Sequence, residues 1–314
     1  MILTMTLNTS IDKTMLIPQF EWDETIRSEE SVVGMGGKGT DASWILGELG
    51  IESLALGFAA GRTGRQVEEM LQERGALTDF TWVEGDSRTN IILIDQEKKR
   101  QSTITANSLK ITTEHIKLLL KKYEELVENA KSIIIGGSLP PGVSAELYTE
   151  MIQIGRQRGV PVVFDSSGST LLAGLAEKPT LIKPNQAEME TLVGIKLDTI
   201  DQIFKAAREI NERYKCIVVA TLGPKGALVV SNDTSLFIEP PTVNVKSTAG
   251  AGDAILAGVA HSLAENLPLE EGLRLGFAAA ASVLTTLATA DCIKADVYKF
   301  KEMVRIQEFA GNKH

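Results

Sequence analysis

The chain has 314 residues, 43% hydrophobic and 23% charged, and a net charge of −9. That length can bury a large core, while the acidic balance and the lack of any basic run argue against a nucleic-acid surface, so an anionic ligand would need local positive charge. The two cysteines, Cys216 and Cys292, are too far apart and too isolated for a disulfide framework or a zinc site; with no basic leader and no apolar run of bilayer length, a cytoplasmic location is expected.

Residues 2–8 read as a first buried strand ending at Asn8. Asp12 follows in the loop region where open α/β sheets line their ligand crevice. Short extended pieces then run through Arg27 to Val33 without a helical period, which suggests a small β element. Gly34-Met35-Gly36-Gly37-Lys38-Gly39-Thr40-Asp41 opens a helical stretch that Gly50 stops. This is not a Walker A loop, because Lys38 precedes Gly39 where that loop needs Gly-Lys-Ser/Thr, and no strong strand precedes it as a dinucleotide fingerprint requires. A backbone nest with a lysine in it remains, suited to a polar or phosphorylated ligand.

A strand over 51–60 and a helix from Gly64 establish a β-α rhythm, which breaks between Phe80 and Thr105. There short alternating runs flank Glu97-Lys98-Lys99-Arg100, the pattern of antiparallel hairpin strands, and Arg88 opens the middle run as a candidate anion ligand. From Thr112 the rhythm resumes, with helices over 112–130, 145–158 and 199–213 and strands over 132–135, 160–165 and 216–221. Repeated units of this kind predict a mostly parallel sheet covered by helices on both faces, with its crevice-side turns converging. Thr221-Leu222-Gly223-Pro224-Lys225-Gly226-Ala227 reads as a hairpin turn, residues 242–246 as a short strand, and residues 296–314 as a polar amphipathic helix with a frayed end.

Ser247-Thr248-Ala249-Gly250-Ala251-Gly252-Asp253 then opens a long Ala- and Leu-rich helix. The first N–H groups of a helix lack partners and add to its positive dipole end, so such a turn can hold an anion. Asp253 would repel a bound phosphate there unless it accepts a proton from an attacking hydroxyl. That pairing points to phosphoryl transfer; the plainer alternative is a tight loop with a dipole-complementing carboxylate.

Gly36-Gly37-Lys38-Gly39, Gly137-Ser138-Leu139-Pro140-Pro141-Gly142, Lys183-Pro184-Asn185-Gln186-Ala187-Glu188, Gly223-Pro224-Lys225-Gly226-Ala227 and Ala249-Gly250-Ala251-Gly252-Asp253 stand in the order seen in ribokinase-type (phosphofructokinase-B) sugar kinases. Thr6-Leu7-Asn8 with Asp12 resembles the branch that holds 1-phosphofructokinase, tagatose-6-phosphate kinase and the minor 6-phosphofructokinase. The resemblance implies a Rossmann-like α/β domain (1–9, 34–79 and 106–314) with a β-sheet lid (10–33 and 80–105). It also implies ATP as donor, Mg²⁺ as cofactor, and phosphorylation of a ketohexose phosphate: tagatose 6-phosphate, fructose 1-phosphate or fructose 6-phosphate.

Carried over, Asp253 resembles the catalytic base and Gly250, Ala251 and Gly252 the anion hole. Asp12 and Gly37 match sugar-binding positions, with Lys38, Arg88, Ser138 and Arg27 on the acceptor side, the cations as candidate ligands of its phosphate. Asn185 and Glu188 match the motif that organises Mg²⁺ with the ATP phosphates, Lys183 is a neighbouring charge, and Thr221, Gly223 and Gly226 match nucleotide-contacting positions. Asp41 stands where the branch has asparagine, Thr9 where it has proline, and Thr25 where some members carry a phosphate-binding lysine. A carboxylate at Asp41 would repel an acceptor phosphate unless Lys38, Arg88 and Arg27 offset it. The lid would leave residues such as Ile92 and Ile94 exposed, which predicts a homodimer through its free face. The alternatives are a kinase of an unphosphorylated sugar or nucleoside, and a catalytically idle regulatory protein that binds nucleotide or sugar.

Overall fold

The computed structural model describes residues 1–106 and 109–311. An eleven-stranded sheet carries the fold. Along it lie Arg305–Glu308, Ser235–Glu239, Ala227–Val230, Ile217–Thr221, Leu181–Ile182, Val162–Asp165, Ser132–Gly136, Ile2–Thr6, Ser53–Ala59 and Leu77–Thr78. Pairing is parallel from Leu77–Thr78 through Ile217–Thr221 and antiparallel beyond it. The central strands Ser132–Gly136 and Val162–Asp165 are Ile- and Val-rich and buried throughout, and Ile217–Thr221 is buried except at its two ends, as expected for a sheet covered on both faces. On one face, Leu119, Tyr123, Met151, Ile152, Leu171, Met189 and Ile203 of five helices between residues 113 and 214 pack against Ile133, Ile135 and Val218. On the other, Lys38–Leu49, Ala251–Ala264, Leu269–Leu284 and Lys294–Lys301 cover Ile2, Ile134 and Val163.

A separate four-stranded sheet runs Glu30–Gly36, Ser10–Ile17, Arg88–Asp95, Arg100–Ile104. Its middle pair is parallel and its outer pairs antiparallel. Thr81–Trp82, read from sequence with the hairpin strands, pairs instead in parallel with Phe58–Ala59 of the main sheet. A strand does precede the Gly36-Gly37 nest: Glu30–Gly36 leads straight into the helix Lys38–Leu49. It belongs to the small sheet, so it does not supply the parallel β-α-β entry of a dinucleotide fold.

The tail differs from the expected helix. Lys294–Lys301 is helical, but Arg305–Glu308 is an edge strand paired with Ser235–Glu239. Local polarity there hid the packing. Val304 is buried, Ile306 reaches the core, and Phe309 lies edge-on to Phe204 at 5.3 Å. Residues 312–314 of that expectation lie outside the described residues. The expected strand over 242–246 is absent, since the tail strand takes the sheet edge beside Ser235–Glu239 and Pro240-Pro241 offers no N–H to a ladder. Lys246 N–H finds Leu284 O at 2.8 Å instead.

The helix Ala251–Ala264 crosses Leu269–Leu284 at glycines. A Cβ on Gly258 would strike the backbone of Gly276 and, at 2.5 Å, Gly272 O. Overpacking such a contact costs about 1–3 kcal/mol. Gly258→Ala is therefore expected to lower the urea midpoint by an amount equivalent to about 2 kcal/mol, and an unchanged midpoint would show that the two helices part freely.

Candidate active site

The strand order reverses about Ile2–Thr6, which lies between Ser132–Gly136 and Ser53–Ala59. At such a switch point the carboxyl ends of the strands bound a crevice. Thr6 there accepts a hydrogen bond on Oγ1 from Thr40 N–H at 2.8 Å, which seats the helix starting after Gly37 across the end of the first strand. The helix places Lys38 and Asp41 in its first turn. Asp165 comes from the end of Val162–Asp165, Lys183 from just beyond Leu181–Ile182, and Asp253 from the first turn of Ala251–Ala264.

These side chains form one charged cluster. Lys38 Nζ lies 2.8 Å from Asp165 Oδ2 and 3.7 Å from Asp253 Oδ1, and Lys183 Nζ lies 3.2 Å from Asp165 Oδ2. Burial works against the Lys38 charge, but Asp165 and Asp253 outweigh it and hold the ammonium protonated. Burial likewise opposes ionisation of Asp165, yet Lys183 and Lys38 keep its carboxyl below the usual carboxylate range. Asp253 is raised by burial, while Lys38 pulls it back toward ionisation. Asp41 is raised much further, by burial and by the charges of Asp253 and Asp12. Burial and these two carboxylates thus work against a negative charge at Asp41, which lessens the expected conflict with an acceptor phosphate.

Gly250, at φ 83°, is the N-cap of Ala251–Ala264. A side chain there would meet both the left-handed backbone and Ala290, so glycine is required. Asp253 and Ala254 N–H turn back to Gly250 O at 3.1 Å. The N–H groups of Ala251 and Gly252 have no acceptor among the described residues. A Cβ on Gly252 would sit 3.2 Å from Lys183 Nζ, so this lysine flanks the open cradle. Two free donors, a dipole end and an ammonium make an anion site with Asp253 at its rim.

Across the crevice, Asp12 takes hydrogen bonds from Asn90 Nδ2 at 2.8 Å and Thr289 Oγ1 at 3.0 Å. Burial pushes its carboxyl up, and these two donors hold it back. Arg88 donates from Nη2 to Asn8 O at 3.1 Å and to Ser138 Oγ at 3.3 Å, while its Nε has no partner among the described residues. Arg88 and Ser138 thus stand together. Lys38 is drawn instead to the carboxylates, and Arg27 is exposed between the first two strands of the small sheet, without a hydrogen bond or ion pair among the described residues.

Asn185 caps Gln186–Val193. It accepts from Glu188 N–H and its own N–H donates to Glu188 Oε2, both at 2.9 Å. A bridge between Asn185 and Thr221 sets this helix start beside the hairpin turn. Gly226 in that turn, at φ 102°, is forced by the fold, since a Cβ would strike Ile238 O. No group of three or more acidic, His or Cys side chains among the described residues makes a metal cage. Glu188, close enough for its charge to act on Lys38, offers a single carboxylate, which fits Mg²⁺ held mainly through phosphate oxygens, the usual manner for that ion.

Residues 5–296 match the pfkB family of carbohydrate kinases. The chain belongs to the pfkB carbohydrate kinase family. The kinase is 31% identical over 309 residues to 1-phosphofructokinase of Borreliella burgdorferi, covering 98% of this chain and 99% of that protein. It is 32% identical over 300 residues to ATP-dependent 6-phosphofructokinase isozyme 2 of Escherichia coli, covering 95% and 97%. Phosphofructokinase-2 from Escherichia coli, solved in complex with substrates and products, superposes with a TM-score of 0.87 at 32% identity, over 96% of this chain and 98% of that one.

Sequence reading passed over three residues of the kinase's site: Asp165, Asn90 and Thr289. Asp165 carried a signal, a carboxylate ending a buried strand on the crevice side; the other two become visible only when the small sheet and the loop after Leu269–Leu284 meet at Asp12. Replacing Asp165 by Asn leaves Lys183 buried with its charge unmatched, which is expected to cost about 3 kcal/mol by chemical denaturation at pH 7. Because the folded carboxyl titrates below its unfolded value of 3.8, its contribution is present above that pH and is lost as pH falls through the folded value. The loss on Asp165→Asn should therefore shrink in acid, and a loss independent of pH would contradict the ion-pair account.

Proposed function

We propose that the kinase transfers the γ-phosphoryl group of ATP to a hydroxyl of a ketohexose phosphate, giving a hexose bisphosphate and ADP. Tagatose 6-phosphate, fructose 1-phosphate and fructose 6-phosphate are the leading acceptors. The observation that carries this reading is the juxtaposition of Asp253, kept ionisable by Lys38, with the free N–H groups of Ala251 and Gly252. Asp253 accepts the proton of the attacking hydroxyl as its oxygen bonds to the γ-phosphorus and the bond to the ADP oxygen breaks. Ala251, Gly252 and Lys183 stabilise the charge on the transferring group, where electrostatic preorganisation does most of the work. Asn185 and Glu188 are the residues that would hold Mg²⁺ with the nucleotide, and the ion when bound would supply charge neutralisation at the phosphates. Thr221, Gly223 and Gly226 border the nucleotide on the hairpin side.

Asp12 orients the sugar hydroxyls, with Gly37 at the same turn. Arg88 with Ser138 takes the acceptor's own phosphate, joined by Arg27 if the exposed segment folds over it. We read the four-stranded sheet as the lid of this crevice. The relatives named phosphofructokinases act on phosphorylated fructose, and the intact Arg88–Ser138 pair supports carrying that class of acceptor to this chain. Two unpaired, buried cysteines support a reducing, cytoplasmic setting.

Asp253→Asn is expected to leave ATP binding by calorimetry within a few-fold of wild type while lowering turnover at least ~10²-fold, the scale of a lost base. Near-normal turnover in that variant would end the assignment. In a panel of sugars and sugar phosphates assayed for ADP release, a ketohexose phosphate should be the best acceptor; an unphosphorylated sugar in that place would transfer the reading to the other kinase class.

The same lid supports a homodimer, through a different face from the one the sequence suggests. Ile92 is 1% exposed and Ile94 half-buried, both turned toward the crevice. The opposite face carries exposed apolar surface: Val33, 45% exposed, and Ile104, 57% exposed, in one cross-strand row with half-buried Ile91 and the exposed Lys13 between Val33 and Ile91. Met15 and Leu93 lie in the next row of that face. Light scattering should give a dimer for wild type and monomer for Val33→Arg combined with Ile104→Arg, and a monomeric wild type would exclude this face as an interface.

A further inference from the structure

Asp41 is one of the positions at which the chain departs from the pattern of the branch it resembles, and it is 4% exposed. Its carboxyl contacts that of Asp253, reaching it from the first turn of Lys38–Leu49 as Asp253 reaches back from the first turn of Ala251–Ala264. Ionised carboxylates only accept hydrogen bonds, so two of them in contact need a proton between them. Oδ1 of each is buried with no hydrogen-bond partner among the described residues. Lys38 approaches Asp253 Oδ1 at 3.7 Å and makes no ion pair with Asp41 among the described residues. Asp12, from the small sheet, adds a further negative charge facing Asp41, while Asp165 and Lys183 face Asp253. Arg88 acts on Asp12 from the lid side. Lys38 favours charge on both carboxyls, but Asp253 also gains from Lys183 against the opposing Asp165, while on Asp41 burial and two carboxylates outweigh Lys38.

We infer that Asp41 is a positioning residue which works as a neutral acid, donating its proton to the Asp253 carboxylate and so fixing the orientation of the base. This inference rests on reading Asp253 as the base. In the branch's usual asparagine, an amide N–H could serve the same geometry. Aspartic acid adds what an amide lacks: a second ionisation. Once Asp41 loses its proton, two adjacent carboxylates repel each other beside the anion cradle, so the pair titrates as a unit with an alkaline limit. Burial and both neighbouring carboxylates push that limit upward.

Two measurements on the whole protein test this without depending on turnover. In infrared difference spectra at pH 7, wild type should show a protonated-carboxyl C=O band that Asp41→Asn lacks; identical spectra in that region overturn the proposal. A group whose folded value is raised contributes stability fully present below the unfolded value of 3.8 and lost as pH rises through the folded value. Between those two values the folding constant of wild type should fall about tenfold per pH unit relative to Asp41→Asn, and parallel stability profiles overturn the proposal. In turnover, Asp41→Ala, which has no hydrogen to donate, should move the acid limb of kcat/KM to higher pH than Asp41→Asn. Coincident acid limbs would remove the positioning role, and full activity of Asp253→Asn would remove the base assignment instead, so the two failures are distinguishable.

Discussion

Asp165 is the group on which the site depends, because it keeps two lysine ammonium groups together in a crevice built for anions. Lys38 and Lys183 both bond its Oδ2, at 2.8 and 3.2 Å. At about 4 Å and an effective dielectric near 20, a pair of unit charges interacts by roughly 4 kcal/mol, so the repulsion of two lysines is matched only if a buried carboxylate lies between them. The arrangement leaves one ammonium beside the anion cradle and the other beside Asp253. Positive charge is thus in place before any phosphate arrives, and no side chain has to be recruited across solvent to meet it.

The cluster couples the two halves of the molecule. Asp12 belongs to the small sheet, yet its partners come from both sides: Asn90 from the neighbouring strand and Thr289 from the loop after Leu269–Leu284. The next residue, Ala290, backs Gly250, and Asp291 is held by Arg74 Nη2 at 2.6 Å, an arginine whose guanidinium also stacks on Trp44 at 3.8 Å. Gln101, on the outer strand of the small sheet, accepts a hydrogen bond from Thr248 N–H at 3.1 Å just before the anion turn. Asp12 and the anion cradle therefore share one loop and the small sheet. A displacement of either is felt by both.

Much of this was legible in the sequence because its causes are local. Helix starts announce themselves through a glycine N-cap, as at Gly250, or through a capping box, as at Asn185 and Glu188, and buried strands through runs such as Ile133-Ile134-Ile135. The misses share the opposite property. The tail strand Arg305–Glu308 exists because Phe204 and the edge of Ser235–Glu239 receive it, and the same occupied edge leaves residues 242–246 without a ladder. Which face of Arg88–Asp95 is wet depends on register with Ser10–Ile17, so alternation alone could not tell Ile92 from Ile91. For the site, the turn motifs gave the anion cradle, while Asp165 stayed hidden until both lysines were seen to converge on it.

Asp41 shows most clearly why residue type does not determine charge. Its place in the first turn of a helix favours a carboxylate by about 0.3–1 kcal/mol. Contact with an ionised Asp253 opposes that charge by roughly 4 kcal/mol at the same effective dielectric, before any cost of burial is added. The larger effect wins, and the side chain that looked hostile to a phosphorylated sugar is a neutral hydrogen-bond donor. On that reading the substitution at position 41 acts on Asp253, the side chain it contacts.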